Sequence, residues 1–586
     1  MTRSLAKSEV IWATLCAIIF AVCFGYPILA HLSRGDISSY PQSDWDYFLQ
    51  LRWVPFYTIT HFHQFPLWNP YKCGGMPIFG NPQSAVLTPF LLLDLMFGPV
   101  IGARLQIVAH IAIGFSGAYV LARGLGISKL GAIACAGAFA GSSWFYLRAE
   151  VGHLTFMTGA YAPWAIALLQ VSSMRRRLAP AALGGLVMAL MLFEGGGAHL
   201  FLQVALLLAL LSSMFALQQR TLFPLLALAI IGAFTLGFTA IEVLPALAYA
   251  GPRTITPDEF SGLGLLFQSF MSRDQSPNAG FYEHGAYIGV LVLALALLGS
   301  ILRFQRSFPW IVLFFVVLLL AAGDFSSYSP WVLTHKLPFY DSLRQPYRWL
   351  ILLPLAAAVL AGFGIDAIRA TSKRWGTIAA AVLVGLALVD DWLVATPYLH
   401  LIVEGVEAAP LPWSTSFRQI VDNRYGLRMF TAAQANIGVA SCYEGWGIMP
   451  NSKARGYNQP DYLGEEYLLG QGSVRLSHWT PNKLSFEVES AAPSTMIVNQ
   501  NYDPGWRVIE GKGSIGPTDA VDTRNALIAV TVPAGKQHLV LAYRSERFLV
   551  GLLIALGSLS AMILLWSFER GYRLPWLGRR PINGQS

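Results

Sequence analysis

Apolar residues run along this chain in blocks of about 20, a length that crosses a hydrocarbon layer of about 30 Å as helix. Twelve blocks are read as spans, over 10–30, 103–122, 130–148, 155–173, 179–194, 199–217, 222–245, 285–302, 308–322, 348–368, 376–396 and 547–567. The first lacks the short apolar core and small-residue cleavage site of a secretion signal, so it is expected to be retained. A further apolar stretch, 84–98, follows a run of Pro, Gly and Asn turn formers. It is read as re-entrant or interfacial, because counting it as a span would put the next basic loop on the wrong side.

One long interruption, from about 397 to 546, is polar and turn-rich, with alternating runs in KLSFEVE, STMIVNQ, ALIAVTV and QHLVLAY. Alternation with period two marks half-buried strands. A β-sandwich is expected in the last hundred residues or so of this insert, behind a less regular portion that includes CYEGWGIMPNSKARGYNQPDYLGEEYLL. The fold class is thus a polytopic α-helical membrane protein of about 12 transmembrane helices, with a mixed, partly β-sandwich domain inserted before the last helix. Its expected units are a membrane domain over 1–396 with an outer first loop at 31–102, an outer domain over 397–546, and a last helix with a basic tail over 547–586.

Composition agrees: 55% of the 586 residues are hydrophobic and only 12% charged, which excludes an ordinary soluble domain. If the twelve spans alternate, the cations gather on one side: Arg3 and Lys7, Arg123 and Lys129, Arg175 to Arg177, Arg220, Arg303 and Arg306, Arg369 with Lys373 and Arg374, and Arg570 onward. Cations near span ends are held in the cytoplasm, so both termini are placed there. The net charge of +8 is mostly accounted for by this topology, and no nucleic-acid partner is inferred.

The opposite face collects Asp36, Asp44, Asp46, His61, His63, Glu150, His153, Glu194, His199, Glu283, His284 and Asp324, with Glu242 near a helix end. Ionisable groups at a membrane boundary are costly and mark sites or pathways. In SDWDYFLQLRWVPFY the aromatic residues from Tyr47 onward suit a helix lying along the membrane surface. Asp44 and Asp46 stand at its start, where a carboxylate is favoured; capping needs only one of them. RAEVGHL sets Glu150 and His153 on a short turn, and FEGGGAHLF offers Glu194 and His199 around a glycine run that breaks the helices. The adjacent Glu283 and His284 are a weaker pair. Arg344 and Arg348 in DSLRQPYRWL are the first candidates for gripping a phosphate, since the planar guanidinium fork matches it; Arg52 and Arg253 follow. Cys73 and Cys442 both face outward, where a bridge would tie the first loop to the insert, but sequence does not show whether they come within reach. Cys16, Cys23 and Cys135 read as packing residues. Tyr502 and Trp506 in NYDPGWRV read as sandwich core rather than as a sugar platform.

PLWNPYKCGGMP after an acidic first outer loop, RAEVGHL, LRQPYRWLILLPLAAAVLAGFGID, NYDPGWRVIEGKG and VPAGKQHLVLAYRSERFLVGLLIAL together resemble the bacterial YfhO-like membrane protein family, over nearly the whole chain. The resemblance implies the GT-C superfamily: glycosyltransferases that work at the outer face of the bacterial cytoplasmic membrane on a polyprenyl-phosphate-linked sugar donor and a glycan or glycolipid acceptor. It also implies that an aspartate of the first outer loop, Asp44 or Asp46, is catalytic base or helps hold a divalent cation such as Mg or Mn. The family's acid followed by a Gln-Tyr pair is only partly kept, with Tyr47 after Asp46 and Leu51 after Gln50. Arg344, Arg348, Glu150, His153, Arg52, Glu194, His199 and Tyr47 are then the candidate substrate-binding side chains, and no spacing names a metal. A glycolipid transporter or flippase, or a non-enzymatic envelope scaffold, is the alternative; a transporter would place coupled acids at mid-membrane, whereas here the acids are read as lying at one edge.

Overall fold

The structure, a computed structural model, describes residues 7–32, 44–196, 200–249, 262–275, 281–343, 345–402, 411–422, 429–442, 452–523 and 525–571. Every segment read as a span contains an apolar helix. Among the described residues nine helices are long and apolar enough to cross a membrane: Pro99–Gly124, Lys129–Glu150, Leu154–Arg175, Leu200–Gln219, Phe223–Leu247, Phe304–Ala321, Pro346–Thr371, Trp375–Leu401 and Glu546–Glu569. The other three, Glu9–Phe24, Ala179–Phe193 and Val290–Leu302, are shorter. The protein is a polytopic helical membrane protein. The stretch read as re-entrant holds only a seven-residue helix, Leu91–Phe97, ended by Gly98 at φ 82°.

Small residues let the helices touch. A Cβ on Gly299 would lie 2.1 Å from the Leu360 carbonyl oxygen, and one on Gly364 would lie 2.1 Å from that of Leu295, so Val290–Leu302 and Leu353–Thr371 meet backbone to backbone, the packing that apolar surroundings favour. Leu353–Thr371 is thereby enclosed on nearly every side. Glu546–Glu569, in contrast, leaves most of its apolar surface open and touches Phe223–Leu247 closely at Gly551.

The insert opens with a parallel pair, Arg418–Ile420 beside Ile437–Val439, joined through the helix Met429–Gln434. Two four-stranded antiparallel sheets follow. One runs Ser514–Pro517, Leu527–Val532, Ser494–Asn501, Glu466–Leu468, and the other Gly472–Thr480, Lys483–Ser490, Gly535–Tyr543, Trp506–Glu510. Their inner faces bury Phe486, Val498, Ile528, Val530, Leu539, Leu541 and Trp506, as the alternation requires.

The first loop is fastened into this sandwich. Its short hairpin, Trp68–Asn69 against Met76–Pro77, drives Trp68 into the sandwich core, where the indole donates to Gln500 Oε1 at 2.8 Å and packs on Trp506 and Tyr543. Cys73 and Cys442 form a disulfide across a separation of 369 residues. Of the remaining cysteines, Cys135 is buried but Cys23 is exposed, which corrects its reading as a packing residue. The helix Trp45–Phe62 also departs from expectation. Its first half is buried on every side instead of lying along the membrane surface, because the insert closes over it.

Candidate functional site

Asp44 occupies the residue before the helix Trp45–Phe62, but its carboxylate makes no capping bond. The chain fixes it in another way. The Asp44 amide donates to the Val151 carbonyl at 2.9 Å, and the Trp45 indole donates to the Glu150 carbonyl at 2.8 Å. Gly152, at φ 81°, allows the contact: a Cβ there would stand 2.5 Å from the Trp45 nitrogen. The turn that carries RAEVGHL is thus clamped to the start of the first-loop helix, and Asp44 Oδ2 lies 2.8 Å from His153 Nε2.

From His153 a chain of charged groups continues. Arg148 Nη1 lies 3.2 Å from His153 Nδ1 and 2.8 Å from Glu283 Oε2, and its other terminal nitrogen donates to the Glu283 carbonyl. Arg348 completes the set with a two-pronged grip, Nε to Oε2 at 3.0 Å and Nη2 to Oε1 at 2.9 Å of the same carboxylate. Phe156 lies beneath both guanidinium groups, 4.4 Å from that of Arg148 and 5.4 Å from that of Arg348. Burial by itself would raise the Glu283 carboxyl, but Arg148 and Arg348 outweigh it and hold Glu283 well below the usual carboxylate range.

The geometry assigns a tautomer. Arginine only donates, so the contact from Arg148 leaves His153 Nδ1 as acceptor and puts the ring proton on Nε2, which donates to Asp44. Asp44 is therefore an oriented acceptor. Its side chain is 20% exposed, with Glu283 at 18% and Arg148 at 2%. A group that takes a proton from an incoming hydroxyl must be reachable, and Asp44 meets that condition.

The other candidates are placed elsewhere. Asp46 is buried and accepts from the Met429 and Phe430 amides at 2.7 and 2.9 Å, so it caps the insert's helix Met429–Gln434. Arg52 binds Asp94 Oδ1 at 2.5 Å and also donates to Gln106. Gln106 reaches Glu194 Oε2 at 3.1 Å, His110 Nε2 lies 2.9 Å from the same oxygen, and Tyr161 donates to Glu194 Oε1 at 2.7 Å. Arg52 and Glu194 therefore belong to a second, fully buried network that joins the first loop to the helices. Tyr47 donates to Gln83 Oε1 at 2.6 Å under the Lys72 ammonium. The Glu150 side chain is buried, with Oε2 unbonded among the described residues, and its backbone rather than its carboxylate supports Asp44. His199, Arg344 and Arg253 lie outside the described residues.

Sequence reading gave Glu283 little weight and did not single out Arg148, although RAEVGHL contains it. It also overlooked Asp390 and Asp391 inside a span. Tyr287 and Arg273 hold Asp390, while Asp391 is buried with both oxygens unbonded among the described residues. As for a metal, no group of three His, Cys, Asp or Glu able to hold one gathers among the described residues. Both oxygens of Glu283 are already taken by arginine, so these residues do not fit a metal centre built on that carboxylate.

No protein-family model matches the chain, and no curated protein matches it. Among solved structures it is similar to the arabinofuranosyltransferase AftD from Mycobacteria, at 17% identity over 93% of this chain and 40% of that one, with a TM-score of 0.49. It is also similar to the Archaeoglobus fulgidus oligosaccharyltransferase, at 13% identity over 75% of this chain and 63% of that one, with a TM-score of 0.43. The chain spans about two fifths of the length of AftD. At such identities neither likeness transfers a reaction to this chain.

Proposed function

We propose that this protein is a membrane glycosyltransferase of the GT-C kind, moving a sugar from a polyprenyl-phosphate carrier to a hydroxyl of a cell-envelope glycan or glycolipid at the outer face of the cytoplasmic membrane. The observation that carries the reading is the convergence of Asp44, His153, Arg148, Glu283 and Arg348 from four distant segments at the ends of the helices. The YfhO-like motifs support it independently.

In this mechanism Asp44 takes the acceptor's proton as the acceptor oxygen attacks the anomeric carbon. The bond from that carbon to the phosphate oxygen breaks, and its electron pair leaves with the polyprenyl phosphate, so the sugar is transferred with inversion. His153 holds Asp44 aimed. Arg148, Glu283 and Arg348 together carry one net positive charge, fixed before the reaction near the point where the leaving phosphate gains charge. Asp46 serves the fold. Asp44→Asn in membranes supplied with a labelled polyprenyl-phosphate sugar tests the assignment: transfer is lost while insertion is kept, and full activity in the variant would remove the proposed base.

A second reading, transport of a glycolipid, draws on Asp391, a buried acid within the span Trp375–Leu401, since ionisable groups inside spans mark pathways and relays. Asp391→Asn separates the two: it leaves sugar transfer intact if the protein is a transferase.

A further inference from the structure

A cavity of 340 Å³ opens where the insert meets the membrane domain, away from the Asp44 set. Its floor is the end of the span Phe223–Leu247, through Pro245 and Tyr249, and its wall is the sandwich edge at Tyr502 to Gly505. Three arginines border it: Arg507 from the strand Trp506–Glu510, Arg544 just after the strand Gly535–Tyr543, and Arg547 in the first turn of the span Glu546–Glu569. From this placement, we infer that the cavity is a binding site for a phosphate-bearing anion, supplied as the headgroup of a membrane lipid.

Two carboxylates also line the cavity, and both have partners within it. Asp503 is buried, and the hydroxyls of Tyr249 and Tyr543 and the Gly505 amide all donate to it. Glu546 is paired with Arg507 at 2.9 Å. Arg544 and Arg547 make no side-chain hydrogen bond or ion pair among the described residues, and both are exposed at the mouth. Three arginines against two carboxylates leave the cavity cationic, with Arg544 and Arg547 exposed at its opening. A volume near the lower end for ligand sites suits a headgroup and not a whole lipid.

The source follows from position. Glu546–Glu569 and Phe223–Leu247 are apolar spans in close contact at Gly551, and the cavity sits at their shared end. Leu247, Leu549 and Val550 beside it are about half exposed, which leaves apolar surface for acyl chains directly below the arginines. Guanidinium groups pair with phosphate oxygens through charge-assisted hydrogen bonds, so arginines at a span end stand where lipid phosphates lie. The site does not depend on the transferase reading. It would anchor the insert, and with it the first loop, to the membrane surface.

The test uses the full-length protein in nanodiscs of phosphatidylcholine with a trace of fluorescent phosphatidylglycerol, read by energy transfer from the protein's tryptophans, with inorganic phosphate as the competing probe. The double variant Arg544→Gln, Arg547→Gln weakens retention of the anionic lipid about thirtyfold. Arg544→Lys, Arg547→Lys retains most of it, and Arg475→Gln, on the far strand of the sandwich, changes nothing. If inorganic phosphate displaces the lipid at equal concentration, the phosphate anion itself is the ligand and the lipid source is overturned. If the double glutamine variant, with unchanged melting temperature, holds the lipid as tightly as wild type, the site is overturned altogether.

Discussion

Asp44→Asn is the perturbation whose consequence can be worked most fully from the geometry. The change is isosteric, and the amide oxygen still accepts from His153 Nε2, so the clamp made by Val151, Glu150 and Gly152 on the Asp44 amide and on Trp45 is untouched. What is lost is the proton acceptor. A positioned base contributes about a hundred- to ten-thousandfold to a rate, so transfer falls by at least about a hundredfold while the melting temperature stays near wild type. Asp46→Asn behaves in the opposite way. The amide can accept from only one of the two amides that Asp46 now satisfies, at Met429 and Phe430, and loss of a charged cap costs about 1–3 kcal/mol of stability. Its rate per folded molecule changes by less than about tenfold. The pair is measured by single-turnover transfer from labelled polyprenyl-phosphate sugar alongside thermal unfolding. A stable Asp46→Asn protein without activity, or an active Asp44→Asn protein, refutes the assignment of base and cap.

Three further outcomes follow from the same contacts. Glu283 is held below the ordinary carboxylate range, so the stability it lends is fully present above about pH 4.5 and is lost as pH falls through its lowered value; Glu283→Gln flattens that acid limb in thermal unfolding scans. Gly152→Ala puts a Cβ 2.5 Å from the Trp45 nitrogen at φ 81°, costs about 1–3 kcal/mol and displaces Asp44, so activity falls further than stability explains. Cys73→Ser removes the bridge to Cys442, lowers stability by about 2–4 kcal/mol, and makes the protein insensitive to reductant in a melting assay.

Much of this architecture is visible in the order of residues, because membrane helices and sandwich strands leave short-range patterns. The helices follow from apolar blocks and the sheets from alternation in KLSFEVE and its companions. The site is only half visible for the opposite reason. Asp44, His153 and Arg348 stand out as charges at boundaries, but Glu283 acquires its meaning from Arg148 and Arg348, 135 and 65 positions away. Asp46 looks equivalent to Asp44 until the helix it caps arrives from 383 positions downstream. Arg52 reads as a candidate grip for the phosphate until Asp94 and Gln106 close on it. Asp390 and Asp391 were masked by the apolar run around them, where two acids in a span should themselves have been the signal.

The most direct measurement is the fate of the carrier lipid. Purified protein in nanodiscs, given a sugar-labelled polyprenyl phosphate and an envelope glycan acceptor, is expected to release one free polyprenyl phosphate for each sugar that appears on the acceptor. Carrier that crosses the bilayer with its sugar still attached, and no free polyprenyl phosphate, would contradict the account.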